Sequence, residues 1–177
     1  MSLWLTLIAY EIVWFAAVIG AGHGYAWPGV VSTVLFAIGR LIASSHRQIE
    51  LRLIAVALVL GTVLETALVD GGLIRYAAPW PSPSHPAWLI ALWAAFALTV
   101  VPLFGYLRAR PWLAAAFGAI GGPLAYLGAA RGWHAVQFPA TEWRSLLALA
   151  AGWAVAFPCL TALARHWLAA SAGKSTA

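Results

Sequence analysis

Six long apolar runs, parted by short stretches of polar and helix-breaking residues, account for most of the chain. They extend from Leu3 to Gly20, Tyr25 to Ser44, Leu51 to Asp70, Pro86 to Leu107, Pro111 to Ala129 and Trp143 to Leu168. Each approaches the ~20 residues an α-helix needs to cross a hydrocarbon core. The separators hold most of the Gly, Pro, Ser, His and Arg and leave no room for a soluble domain. The pattern predicts an all-α, polytopic integral membrane protein: residues 1–177 as one compact bundle of six transmembrane helices. The first run has no Lys or Arg ahead of it and contains Glu11, so a retained helix is expected rather than a cleaved signal. The segment from Pro79 to Pro86 alternates proline with other residues and reads as a stiff, extended connector.

Composition agrees with the pattern. Hydrophobic residues make up 63% of the 177 and charged residues 8%, whereas a soluble domain is roughly half apolar and a quarter charged. A mean hydropathy of +0.87 excludes a disordered tail, a water-soluble bundle and a free nucleic-acid-binding domain. The net charge of +5 comes from only 10 Lys+Arg against 5 Asp+Glu, too sparse to track a phosphate backbone, so no nucleic acid partner is expected.

The cations act instead as topology signals. Arg40, Arg47, Arg52, Arg108, Arg110, Arg165 and Lys174 fall on one side of the six-span scheme, and Arg75, Arg131 and Arg144 on the other. The positive-inside rule then places both termini in the cytoplasm and residues 21–24, 71–85 and 130–142 outside. Eight of the 11 tryptophans sit near span ends, where the indole suits the headgroup boundary; Trp14, Trp93 and Trp153 lie inside.

Helix contacts and bends are also legible. Ala114, Gly118 and Gly122 recur at four-residue spacing on the fifth run, as do Ala148, Gly152 and Ala156 on the sixth. Such small-residue stripes let two backbones approach closely in lipid, and they are the expected docking surface for a protein partner or a second copy. Pro102, Pro123 and Pro158 each remove a backbone donor inside a span, which predicts kinks or a hydrated cavity.

Against this apolar background a few polar groups stand out as candidates for chemistry. Glu65 lies some two-thirds of the way through the third span. A charged group at that depth costs at least ~2.5 kcal/mol on insertion scales, so it is a candidate proton donor or ligand contact, or else a structural group bonded to another helix. Glu11, midway along the first span, could share a proton with Glu65 or pair with Arg40. At the outer rim, Asp70, Arg75, Tyr76, Trp80 and His134 are candidate ligand-binding residues for a lipid headgroup; Asp70 could equally pair with Arg75. The five histidines form no pair at ligand spacing and Cys159 is the only cysteine, so neither a metal site, a disulfide nor a cofactor is expected. No nucleophile elbow, phosphate-binding loop, dinucleotide fingerprint or aspartate-rich diphosphate motif is present.

Several segments resemble, in order, a family of uncharacterised bacterial inner-membrane proteins, DUF2878: the run from Tyr10 to Gly20, Glu50-Leu51-Arg52-Leu53, the run from Gly61 to Leu68, Ala87 to Thr99, and Gly118 to Tyr126. The family often has aspartate at the position of Glu65, which keeps the carboxyl. It has a polar Asn-His-Ser run where this chain has Val100-Val101-Pro102, which removes any site built from those groups. The resemblance implies a bacterial inner-membrane location. It also implies a lipid-linked role, because the family's genes lie near relatives of cyclopropane-fatty-acid synthase. The expected function is therefore lipid-associated: a binding subunit, or a small membrane enzyme acting on an acyl or isoprenoid lipid, with membrane lipids as partners. The alternatives are a structural or assembly subunit docking through spans five and six, and a small proton-coupled carrier using Glu65 or Glu11.

Overall fold

The computed structural model describes residues 2–139 and 141–174, with Lys174 described by its backbone alone. Six helices carry the fold: α1 (Leu3–Gly22), α2 (Trp27–Ile42), α3 (Arg47–Asp70), α4 (Ala87–Leu103), α5 (Pro111–Trp133) and α6 (Glu142–Lys174). Four of them, α1, α3, α5 and α6, are long and apolar enough to cross a membrane; α2 and α4 are apolar but shorter, at 16 and 17 residues. Large apolar side chains such as Ile12, Leu35, Val63, Ile120 and Val155 point outward from mid-helix. A water-soluble bundle would place polar residues there. Such an exterior is of membrane-protein type.

The helix ends differ from the hydropathy boundaries for identifiable reasons. Helix α3 starts at Arg47, four residues before the apolar run, because a polar first turn still satisfies its backbone by continuing the helix. Helix α4 stops at Leu103 rather than Leu107. Pro102 supplies no donor to the last turn and Gly105 follows, so the chain turns through a short 3-10 segment at Leu107–Ala109. Helices α5 and α6 each run several residues past their apolar stretches.

The bundle also contains a two-residue antiparallel ladder that hydropathy gave no sign of. Strand β1 (Arg75–Tyr76) pairs with β2 (Val136–Gln137), with Arg75 opposite Gln137 and Tyr76 opposite Val136. Strands this short have no period to read. The ladder ties the α3–α4 connection to the α5–α6 connection, so both lie at one end of the bundle. The turn after α1 joins them there: a Cβ on Gly22 would sit 2.0 Å from the Trp133 carbonyl oxygen. At the other end the α2–α3 turn, the α4–α5 turn and late α6 come together around Arg40, His46, Arg108 and Leu168.

Helix α4 is the centre of the packing, lying against α1, α2 and α3. It buries Trp88, Leu92, Trp93, Leu98 and Val100. Helices α5 and α6 form the most extensive pair. Their approach depends on the small-residue stripe, since a Cβ on Gly118 would lie 2.3 Å from the Trp153 carbonyl oxygen. On α6, Gly152 accepts Leu64 of α3 in the same way, its Cβ position 2.4 Å from Leu64 Cδ1. Both stripes are thus occupied inside the chain.

Candidate functional site

Glu65 projects from the penultimate turn of α3 into the bundle and is fully buried. Three donors from three other segments converge on it. The Tyr126 hydroxyl of α5 and the Trp93 indole N–H of α4 both donate to Oε1, the latter at 2.8 Å, while the Tyr76 hydroxyl of β1 donates to Oε2. Tyr126, Tyr76 and Trp93 are themselves buried. A carboxyl this deep is tolerable only with such partners, because an unpaired buried charge or donor carries its full desolvation cost.

The local sequence explains how four bulky groups fit. One turn before Glu65, on the same face of α3, is Gly61, where a Cβ would lie 2.5 Å from Cγ of Trp93. One turn before Tyr126 is Gly122, where a Cβ would lie 2.4 Å from Cδ1 of Trp153. Each glycine admits an indole beside the functional residue. The two indoles then stack on each other, with centroids 4.4 Å apart and planes 12° from parallel. The Trp153 N–H borders the Tyr126 hydroxyl but makes no hydrogen bond of ordinary geometry.

Tyr76 is held by the ladder and by edge contact with Trp88, whose N–H donates to the Ala77 carbonyl at 2.9 Å. The Ser145 hydroxyl fastens the same connection to α6 by donating to the Leu73 carbonyl at 2.5 Å. Burial, and then the neighbouring Glu65 carboxyl, push the Tyr76 phenol well above its ordinary value. The result is a continuous Tyr126–Glu65–Tyr76 chain of hydrogen bonds leading from the bundle interior to the ladder end.

Beside this cluster runs a groove of about 710 Å³. Helix α4 forms its floor, α1 and α5 its sides, and Trp153 and Phe157 of α6 part of its back. Its lining is mostly apolar and aromatic; Tyr126 and Trp93 contribute to its wall, so two of the three donors to Glu65 are also groove residues. Glu11 lines it too, with an exposed side chain. Between Leu3 and Val18 the α1 wall covers 15 helical rises, or roughly 22 Å at ~1.5 Å each. At the ladder end the two sides close together, with Gly22 against Trp133 and the Trp14 and Trp133 rings 5.8 Å apart.

The structure groups the candidate residues differently from the sequence reading. Glu65 and Tyr76, assigned to a buried acid and an outer rim, are direct partners. Glu11 contacts neither Glu65 nor Arg40: Arg40 pairs with Glu50, a fully buried carboxylate in the first turn of α3. Glu50 escaped notice because the hydropathy boundary left it in a loop. Asp70 and Arg75 are exposed and form no ion pair with each other; among the described residues the ion pairs are Arg40–Glu50 and Arg131–Glu142, the latter exposed at 3.1 Å. Trp80 is 68% exposed. His134 is an exposed, left-handed C-cap of α5 at φ 54°, its N–H returning to the Ala129 and Ala130 carbonyls. Trp93 and Tyr126 were missed as site residues; their one advance signal was the glycine a turn before the acid and the phenol. Among the described residues no group of three His, Cys, Asp or Glu side chains is placed to hold a metal ion.

Fold and site together define a helical bundle of membrane-protein type, with a hydrogen-bonded acid at its centre and an apolar groove alongside. The chain matches the family described as protein of unknown function (DUF2878) over residues 3–159, and it belongs to that family. No curated protein and no solved structure matches it.

Proposed function

We propose that this protein is a lipid-binding integral membrane protein whose groove takes one acyl or isoprenoid chain against the wall formed by Trp93 and Tyr126. The observation that carries the reading is the groove itself: elongated, apolar, about 710 Å³, and bordered by groups hydrogen-bonded to the buried acid Glu65. An elongated slot of ~22 Å exceeds one leaflet of a hydrocarbon core ~30 Å thick, which suits a single long chain better than a compact solute. Glu65 and its tyrosines then offer hydrogen bonding to a polar or unsaturated point on that chain, in binding alone or in a reaction on it.

The same reading takes all six helices as spans in a bacterial inner membrane, with both termini cytoplasmic. Supporting it, the end of the bundle that gathers the α2–α3 and α4–α5 turns carries Arg40, Arg47, Arg108 and Arg110, and the ladder end carries Arg75, Arg131 and Arg144. Counted with Arg52, Arg165 and Lys174, the bias is seven to three.

Mass spectrometry of lipids retained after mild detergent extraction tests the groove. Gly121 lines it, and a Cβ there meets nothing closer than Phe117 at 3.9 Å, so the side chain of Gly121→Trp starts from open space beside the slot and should fill it. Gly132, whose Cβ position has no neighbour within 4 Å, lies outside the groove and serves as control. The wild type and Gly132→Trp should retain the same lipid and Gly121→Trp should lose it. Equal retention in all three proteins would overturn the proposal.

A further inference from the structure

At the end of the bundle opposite the ladder, a second pocket of about 370 Å³ opens between the α2–α3 turn, the end of α4 and the α4–α5 turn. Its polar lining consists of Arg40, Ser44, Ser45, His46 and Arg108, with no carboxylate among the lining residues. We propose that this pocket binds a phosphate-bearing anion, supplied by an anionic lipid headgroup or by a soluble phosphate. It is separate from the groove and does not depend on the groove's occupant.

Three independent features converge there. Arg40 is only 6% exposed, yet its guanidinium spends one bond on Glu50, through Nη2, while Nε is sealed from solvent with no partner. Glu50 meets Arg40 through one oxygen and leaves Oε2 unpaired, so the pair is not a closed fork. Arg108 brings a second guanidinium with no side-chain hydrogen bond or ion pair among the described residues, folded over Gly105 where a Cβ would lie 3.1 Å from its Nη2. Finally, the 24-residue helix α3 begins beside the pocket with His46 as N-cap and no side-chain acceptor on its first-turn N–H groups. A helix N-terminus without a cap, the paired guanidinium of Arg40 in the wall and the unpaired guanidinium of Arg108 are the parts from which an anion site can be made. The hydroxyls of Ser44 and Ser45 add neutral donors; Ser44 Oγ already accepts the His46 N–H at 3.1 Å, leaving its own proton free to point at an anion. The volume of about 370 Å³ would hold about a dozen waters at ~30 Å³ each, room for a phosphate with or without a substituent.

The test uses the full-length protein in nanodiscs of phosphatidylcholine, alone or with phosphatidylglycerol, and adds inorganic phosphate to the former. The wild type should retain phosphatidylglycerol over phosphatidylcholine, or be stabilised by inorganic phosphate, the first result marking a headgroup and the second a soluble ligand. Arg108→Gln should weaken whichever is bound by about tenfold or more. Arg110→Gln, two residues away but donating to the Tyr106 carbonyl and stacked on that ring, should leave binding at the wild-type level. Both variants are on the α4–α5 turn, clear of the buried pair, so neither threatens the fold. Equal losses in the two variants, or no preference for either anion in the wild type, would overturn the proposal.

Discussion

Replacing Glu65 by leucine exchanges the buried acceptor for an apolar group of comparable bulk, so little cavity is created and the effect isolates hydrogen bonding. The substitution strands the Tyr76 and Tyr126 hydroxyls and the Trp93 N–H, which are 8%, 6% and 2% exposed by residue. Hydrogen bonds between membrane helices are worth ~0.6 kcal/mol on average and ~1.7 at most. Three of them give a loss of about 2–5 kcal/mol for Glu65→Leu. Soluble-protein costs of ~1–3 kcal/mol per orphaned donor would raise this to about 3–9.

The sharper outcome is a change of sign. In the native background, Tyr76→Phe with Tyr126→Phe removes two of the three donors to Glu65 and should destabilise by about 1–3 kcal/mol. In the Glu65→Leu background the same pair of changes removes two stranded hydroxyls and should restore a similar amount, because taking away both partners of a buried bond is far cheaper than taking one. Equilibrium unfolding in mixed micelles, followed by far-ultraviolet circular dichroism to avoid the altered aromatic signals, measures all four proteins. If the double phenylalanine change is destabilising in both backgrounds, the hydroxyls serve something other than Glu65 and the cage as described is wrong.

Two more outcomes follow from specific contacts. Gly118→Ala places a methyl 2.3 Å from the Trp153 carbonyl oxygen, whereas Gly121→Ala meets nothing within 3.9 Å; the first should lower the melting temperature of detergent-solubilised protein markedly and the second should barely move it. The Tyr76 phenol is raised above its ordinary value of 10.0 by burial and by Glu65. The unfolded chain therefore ionises first as pH climbs, stability is full below about pH 10 and falls above it, and Tyr76→Phe, which also loses its hydrogen bond to Glu65 at neutral pH, should flatten that decline.

How much of this could be read in the chain depends on what imposes each feature. The bilayer imposes length and hydropathy, so the runs from Leu3, Tyr25, Leu51, Pro86, Pro111 and Trp143 each correspond to a helix. It imposes little on the turns at helix ends, where Arg47 to Glu50 continue α3 outward and Pro102 with Gly105 cuts α4 short. Glu65 was conspicuous because a carboxyl at that depth is costly. Its partners were not, because an indole and a phenol are ordinary in an apolar helix, and residues 65, 76, 93 and 126 share no spacing. Tyr76 looked like a rim residue until the ladder turned its hydroxyl inward. For Glu11 the scheme of spans left open a shared proton with Glu65 or a pair with Arg40; the fold gives Arg40 to Glu50, ten residues along the chain and across one turn.

The placement of the cage also decides which part of the groove is stiff. Its bonds join α3, α4, α5 and β1, elements up to 61 residues apart in sequence, so Trp93 and Tyr126 cannot leave the groove wall without stranding Glu65. Helix α1 carries no such tie: among the described residues its side chains make no hydrogen bond to α5, and the two helices meet through Gly22, Trp14 and Phe15 against Trp133, with Trp14 also beside Gly128. The wall bearing the polar groups is therefore fixed by directional bonds, while the side bearing Leu7, Tyr10 and Glu11 is held by dispersion and shape alone. Apolar contacts of that kind can be exchanged for contacts with a hydrocarbon chain at little cost, because lipid is as apolar as the side chains it replaces. On the lipid-binding reading proposed above, a polar wall fixed by directional bonds facing an apolar one held by packing would let a chain enter from the bilayer and still meet hydrogen-bonding groups in a defined position.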